Sequence, residues 1–251
     1  MPRITNSLPG QESKPEFVRN GFNEISRHYD CLNDLMTAGM HRSWKNEAAA
    51  MLRLQPGMNV LDLCAGTGDL AQRASKLTTN DGLTIALDFA PQMMQEGQNR
   101  SGGGSYNIIN WICADAGLLP FTDNSFDGAL VGFGLRNVVS IETVLHEVNR
   151  VLRPGARFVS LDTAETEWKI LMPFYRFYMN YIVPMMGRLV GSKDMYAYLT
   201  SSAEAFDSPE LLCQKMQRCG FTETGFTYRP RILGGAALTW GQKPVKPSRQ
   251  D

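Results

Sequence analysis

Asp62-Leu63-Cys64-Ala65-Gly66-Thr67-Gly68-Asp69 follows the apolar run Asn59-Val60-Leu61 and leads into the helix-like Leu70-Ala71-Gln72-Arg73-Ala74. A strand, a glycine turn and a helix start are expected in direct succession. Glycine at 66 and 68 lets the backbone turn tightly and lets a ligand approach with no Cβ in the way, while the first turn of the helix presents unpaired N–H groups to it. Such a turn binds a nucleotide-like molecule.

The turn alone leaves the nucleotide open, because Gly66-Thr67-Gly68-Asp69-Leu70-Ala71 also fits the dinucleotide pattern G-x-G-x-x-G/A, with Asp88 about twenty residues on. Three acids favour S-adenosylmethionine (SAM) over NAD. Asp62 stands inside the end of the first strand, where a carboxylate holds a cationic amino-acid end but repels a pyrophosphate. Asp88 ends Leu83-Thr84-Ile85-Ala86-Leu87-Asp88 and can accept two ribose hydroxyl hydrogen bonds; Asp115 ends Ile108-Ile109-Asn110-Trp111-Ile112-Cys113-Ala114-Asp115 and is placed for an adenine amino group. A single strand-end Asp is ordinarily a helix cap or turn residue, whereas acids at three successive strand ends point to a site. Ala65, Thr67, Phe89, Ala116 and Gly132 complete the expected cofactor set.

The 25 Lys and Arg balance the 25 Asp and Glu of the 251-residue chain, so no basic field gathers nucleic acid, and no nucleic-acid partner is expected. Five cysteines (31, 64, 113, 213, 219) lack C-x-x-C spacing and three histidines (28, 41, 146) lack metal-ligand spacing. Reduced thiols and a metal-free mechanism are expected. Residues 1–16 are polar, carry Pro2, Pro9, Gly10 and Pro15 and lack an apolar h-region, which reads as a disordered lead in a cytoplasmic protein rather than a signal peptide. One domain is expected over 17–241, with a flexible tail over 242–251.

Strand and helix patterns alternate along that domain. Phe126-Asp127-Gly128-Ala129-Leu130-Val131-Gly132-Phe133 is the fourth strand, and Ser140 N-caps a helix whose Val144, Leu145, Val148, Val151 and Leu152 recur on one face. Arg153-Pro154-Gly155 stops it, and Arg157-Phe158-Val159-Ser160-Leu161-Asp162 is the fifth strand. Helices on both faces of a mostly parallel sheet follow. Residues 168–190 are dense in Met, Tyr, Phe and Ile but broken by Pro173 and Pro184 and charged by Arg176 and Arg188, which predicts an inserted helical lid over about 165–205 rather than a membrane span. This surface suits a prenyl chain, peripheral contact with the inner face of a membrane, or a homodimer interface. A helix from Ser208-Pro209-Glu210 to Gly220 and two strand-like runs over 221–228 and 236–240 then complete the sheet as a hairpin.

Two further motifs carry a family resemblance. Tyr29-Asp30-Cys31-Leu32-Asn33-Asp34 with Gly39-Met40-His41-Arg42-Ser43-Trp44-Lys45, and Phe133-Gly134-Leu135-Arg136-Asn137-Val138, resemble the Y-D-x-x-N-D, G-x-H-R-x-W-K and F-G-L-R-N-V signatures of the UbiE/MenG quinone C-methyltransferases. The likeness runs from about Phe17 to Gly241 and takes in Tyr196-x-Tyr198-Leu199 and Gly234-Gly235. It implies a class I SAM-dependent methyltransferase, Rossmann-like with a seven-stranded sheet, acting on a ring carbon of a prenylated hydroquinone in menaquinone or ubiquinone biosynthesis. Gly132 stands where ubiquinone-branch relatives often carry Ser, which leans the reading towards demethylmenaquinol. Leu238-Thr239-Trp240-Gly241 departs from the Leu-His pair of many relatives, so no role for that His transfers.

Methyl transfer from a sulfonium is an in-line displacement that needs alignment and exclusion of water, and a phenolate acceptor is favoured by a nearby cation. Arg136 is the first candidate for that cation, its alternative being a salt bridge that locks the loop; Asn137 beside it is either catalytic or a turn residue. Tyr29, with Asp30, closes over the cofactor or staples the N-terminal segment. Tyr196, Tyr198 and Phe133 are the candidate substrate contacts, with core packing as the alternative for both tyrosines. A methyltransferase with another phenolic or lipid-like acceptor, a non-catalytic SAM-binding scaffold and a dehydrogenase are the competing functions.

Overall fold

The computed structural model describes residues 13–37, 39–79, 81–101, 109–164, 193–229 and 235–245, together with Phe177 and Tyr181. Helices α1 (Lys14–Ile25), α2 (Tyr29–Thr37) and α3 (His41–Met51) precede β1 (Val60–Leu63), α4 (Asp69–Thr78), β2 (Thr84–Asp88), α5 (Pro91–Ser101) and β3 (Ile109–Cys113). Then come β4 (Phe126–Gly132), α6 (Ile141–Val151), β5 (Leu152–Ala164), α7 (Lys193–Glu204), α8 (Pro209–Arg218), β6 (Thr222–Arg229) and β7 (Gly235–Gln242). The seven strands form one sheet in the order β3-β2-β1-β4-β5-β7-β6, parallel except where β7 pairs antiparallel with β5 and β6. The expected doubly covered sheet and closing hairpin are both present.

Strand parity explains the two cores. Leu61, Leu63, Ile85, Leu87, Ala129 and Val131 face α6 and α8, meeting Val144, Leu145, Val148, Leu212 and Met216. Val60, Leu130, Val159 and Leu161 face the other way, against Trp44 and Ala48 of α3 and Leu70 and Ala74 of α4. Successive strand side chains alternate faces, and each fully buried Val or Leu contributes roughly 1.5–3 kcal/mol. Ser140 accepts the Thr143 N–H and Ser208 accepts the Leu211 N–H, so the N-caps of α6 and α8 fall where the sequence puts them.

The sheet also positions the site. β1 lies between β2 and β4, so successive connections leave β1 and β4 towards opposite edges and a crevice opens at the carboxyl ends of the strands. Over it lies a third cluster in which Val18, Phe22 and Ile25 of α1 meet Ala90 and Met93 near the start of α5 and Met195, Tyr198 and Leu199 of α7. The N-terminal helices and α7 roof the crevice.

Several boundaries move. Helix α1 begins at Lys14, inside the stretch expected to be a disordered lead, because Pro15 suits the first turn of a helix and Val18, Phe22 and Ile25 find a buried face. The fifth strand starts at Leu152 rather than Arg157: Gly155 donates to Lys243 O and Lys243 donates to Ala156 O, which anchors both this excursion and the start of the expected flexible tail. β3 stops at Cys113, two residues before Asp115, once Ala114 donates to Asp88 O. Of the lid, α7 is described; residues 165–192, apart from Phe177 and Tyr181, lie outside the described residues, as do 1–12 and 246–251. Among the described residues no helix is long and apolar enough to cross a membrane, and no His, Cys, Asp and Glu cluster could hold a metal.

Gly97, in mid-α5, gives a direct test of this packing, since a Cβ there would lie 2.6 Å from Thr67 O in the glycine turn. Alanine raises helix propensity by about 1 kcal/mol relative to glycine. The clash should win, so Gly97→Ala is expected to lower the denaturation midpoint and weaken cofactor binding; a more stable variant would contradict the packing.

Candidate active site

The glycine turn is built around one buried carboxylate. Asp88 Oδ2 accepts the Gly66 N–H at 2.7 Å and Oδ1 accepts the Ala90 N–H at 2.8 Å, tying the end of β2 to the turn after β1. Gly66 (φ +56°) and Gly68 (φ +75°) are left-handed, the latter as the N-cap of α4. Burial pushes the Asp88 carboxyl above the ordinary range, against the pull of its backbone N–H donors. It lines a cleft of about 730 Å³, counting space open to solvent.

Gly66, Phe89, Asp115, Ala116, Gly132, Phe133, Asn137 and Tyr29 share this cleft with Asp88. Most of the expected cofactor set thus converges, together with the expected Tyr29 and Asn137. Asp115 Oδ1 accepts the Gly117 N–H at 2.7 Å, which fixes the loop after β3. Ala65, Thr67 and Gly68 shape the turn behind the wall; the Thr67 hydroxyl donates to Asp30 Oδ1 at 3.1 Å, and Asp30 is ion-paired with Arg100 of α5. The closing role expected of α2 has a physical basis in these bonds. Cys64 and Phe133, which lack glycine's freedom, hold positive φ (50° and 58°) and both line the cleft. Strain of this kind is characteristic of functional sites.

Asp62 is a correction. Its parity in β1 matches Val60, so its side chain turns towards α4 and away from the crevice, where Oδ2 accepts the Ala71 N–H at 2.8 Å. It is only 1% exposed, Oδ1 has no partner among the described residues, and burial drives its carboxyl well above the usual range. It anchors the start of α4 and is absent from the lining of the cleft.

Arg136 is the second correction. Nη1 lies 2.6 Å from Asp162 Oδ1, with the two side chains 9% and 3% exposed, so the guanidinium is held in a buried ion pair at the end of β5; it is absent from the lining of this cleft and lines the cavity beside it. The salt-bridge alternative is what forms. Asn137, by contrast, reaches the cleft: Nδ2 donates to Phe133 O at 3.2 Å and Oδ1 is buried without a partner among the described residues. Tyr29 stacks edge-on against Phe22 with ring centroids 5.8 Å apart while lining the cleft, so it is both staple and wall.

Tyr198 falls outside this cleft and lines a second cavity of about 1060 Å³ beside it; the two share Val138 and Val139. Its hydroxyl is buried and unpartnered among the described residues, its ring packs against Phe17, and burial pushes its pKa up to about 12. The side chain of Tyr196 lies outside the described residues. The G-x-H-R-x-W-K residues are scaffold: Asp34 bonds His41 at 2.9 Å and Arg42 at 2.8 Å, Lys45 bonds Asp69 at 2.8 Å, and Trp44 packs in the core. Pro15, Phe22, Met93 and Lys14 were missed by sequence reasoning. Proline directly after a lysine and ahead of an apolar stripe was the available sign that a helix starts there.

The fold and the cleft define a class I methyltransferase. Similar solved structures include a SAM-dependent methyltransferase, possible histamine N-methyltransferase, from Thermotoga maritima, with TM-score 0.63 and 18% identity over 90% of this chain and 99% of that one. Phosphoethanolamine N-methyltransferase 2 of Haemonchus contortus in complex with S-adenosyl-L-methionine gives TM-score 0.59 and 12% identity over 79% of this chain and 52% of that one. The chain belongs to the ubiE/COQ5 methyltransferase family, whose profile matches residues 10–243. It is 37% identical to the demethylmenaquinone methyltransferase of Desulfitobacterium hafniense, over 93% of this chain and 92% of that protein. It is also 36% identical to the ubiquinone/menaquinone biosynthesis C-methyltransferase UbiE of Zymomonas mobilis, over 89% and 90%.

The cofactor of this class is SAM, and the residues fit it: the cleft combines the carboxylates of Asp88 and Asp115 with the apolar walls of Phe89 and Met93, a set suited to a hydroxylated ribose carrying a flat base. Asp88→Ala should weaken SAM binding by roughly 10- to 100-fold, from about 1.5–3 kcal/mol per charged hydrogen bond, in calorimetric titration of the folded variant. Unchanged affinity would remove Asp88 from the site. Arg136→Ala leaves Asp162 buried and unpaired, so chemical denaturation should show a loss of about 3–5 kcal/mol, largely recovered by a second change, Asp162→Leu. Equal stability of wild type and Arg136→Ala would show that the ion pair is not structural.

Proposed function

We propose that this enzyme methylates a ring carbon of a prenylated hydroquinone, with demethylmenaquinol as the acceptor, in quinone biosynthesis. The observation that carries the reading is the pairing of two cavities: a cleft lined by the carboxylates of Asp88 and Asp115 shares Val138 and Val139 with a larger cavity whose wall mixes apolar, hydroxyl and charged side chains. When bound, SAM supplies a methyl group on a positively charged sulfur, open to in-line displacement. Asp88 and Asp115 would hold it by its ribose and adenine, and the turn carrying Gly66 would set its depth. The free Oδ1 of Asn137 is suited to accept a hydrogen bond from an acceptor hydroxyl. Tyr29, Phe22 and Met93 give the cleft apolar walls against which the reactants can be aligned, and positioning of this kind is worth roughly 7–11 kcal/mol of barrier in favourable cases.

Names of relatives support both quinone branches, and Gly132 supports the menaquinone one. It lines the cleft, and a Cβ there would approach Leu70 Cδ1 to 2.5 Å, so Ser at this position requires Leu70 to move. The acceptor's prenyl chain implies work at a membrane surface, with residues 168–190 as the contact and a homodimer through the same segment as the alternative. Expression in a strain blocked at this methylation should restore menaquinone, identified by mass. Restoration of ubiquinone alone would reassign the branch, and restoration of neither would refute the reading.

A further inference from the structure

We propose that Lys14, on the first turn of α1, is the catalytic cation against which the phenolic oxygen of the acceptor ionises, an inference that rests on the hydroquinone reading above. The second cavity has an apolar side made by Val138, Ile141 and Phe206 and a polar side that includes Ser140 and Ser202 beside Tyr198, a wall suited to an oxygen-bearing aromatic ring. Three cations line it. Arg136 is neutralised by Asp162, and Lys215 by Asp207 at 2.8 Å and Glu142 at 3.0 Å. Lys14 differs, because the contacts of its Nζ are carbonyl oxygens, Val138 O at 2.7 Å and Arg136 O at 3.2 Å. An ammonium has three donors, so one remains for a ligand.

Position agrees with charge. Lys14 lines the second cavity while its neighbour Pro15 lines the cofactor cleft, so the ammonium stands where the two join. The carbonyls orient it without cancelling its charge, and partial burial disfavours the isolated cation, which makes an incoming anion more welcome. The acceptor phenol loses its proton to solvent against this cation. The phenolate's electron pair then feeds the neighbouring ring carbon, which forms a bond to the methyl carbon as the carbon–sulfur bond breaks, the sulfur keeping that pair. The ring hydrogen leaves as a proton and aromaticity returns. Lys14 stays protonated throughout.

The charged groups facing Lys14 from the packed elements are Arg136, Glu142, Asp207 and Lys215, all engaged, and Tyr198 ionises only near pH 12. Rate should rise as the acceptor ionises and fall as Lys14 loses its proton.

The test uses the full chain with S-adenosylhomocysteine and a short-chain 2-prenyl-1-naphthol, whose absorbance reports its ionisation, alongside turnover with the hydroquinol. Wild type and Lys14→Arg should lower the pKa of the bound naphthol by at least about one unit, equivalent to about tenfold in phenolate population. Lys14→Gln, which can still hold a carbonyl but carries no charge, and Lys14→Met should not. Both neutral variants should lose at least about tenfold in kcat near pH 7.5 with SAM affinity kept, and Lys14→Arg should lose the high-pH fall. The same bound pKa in all four proteins, or full kcat in Lys14→Gln, would make Lys14 a loop staple and overturn the proposal. Wild-type protein that binds SAM but methylates no hydroquinol would instead refute the acceptor reading on which it rests.

Discussion

The Asp88 carboxylate is the constraint on which the site depends. Two backbone N–H groups, from Gly66 and Ala90, converge on a charge that burial disfavours, so the turn after β1 and the entry to α5 are locked to the end of β2. Close approach follows from that lock: α5 brings Gly97 against Thr67, and α4 begins with a left-handed Gly68. The α4 start is held from beneath by Asp62 and from the side by Lys45 through Asp69. A cofactor that uses Asp88 meets a carboxylate already fixed in place, which lowers the ordering cost of binding.

Above this floor the N-terminal helices act as a fastened roof. Asp30 joins α2 to Thr67 and α5, Lys14 joins α1 to the loop after β4, and Phe17 packs on Tyr198 of α7. Much of the family signature therefore serves assembly. Asp34, His41, Arg42 and Lys45 bond to one another or to α4, while Tyr29, Phe133, Gly134, Asn137 and Val138 are the signature members that reach the cleft.

The sheet was legible because hydrophobic runs, glycine turns and caps agreed at every strand of the parallel part. Asp88, Asp115 and the glycine turn were legible for the same reason, each lying at a strand end where the sheet's topology opens a crevice. Asp62 was misread because its place at a strand end was weighed without its parity; counting from Val60 sends it to the α4 face. Arg136 was misread because its partner Asp162 lies 26 residues away on a different element, a distance that no local pattern reveals. The start of α1 was hidden by a polar, proline-containing lead whose helical stripe is buried by distant elements, α5 and α7, as well as by Tyr29. Lys14 depends on that same long-range packing.

Transfer to a ring carbon is tested most directly by one single-turnover reaction: wild-type protein, methyl-labelled SAM and a short-chain demethylmenaquinol kept reduced. Label should appear as a new carbon-bound methyl on the naphthoquinol ring and should be absent when the oxidised quinone is supplied, because only the reduced ring is nucleophilic. Label on oxygen, or no transfer from a protein that binds SAM, would contradict it.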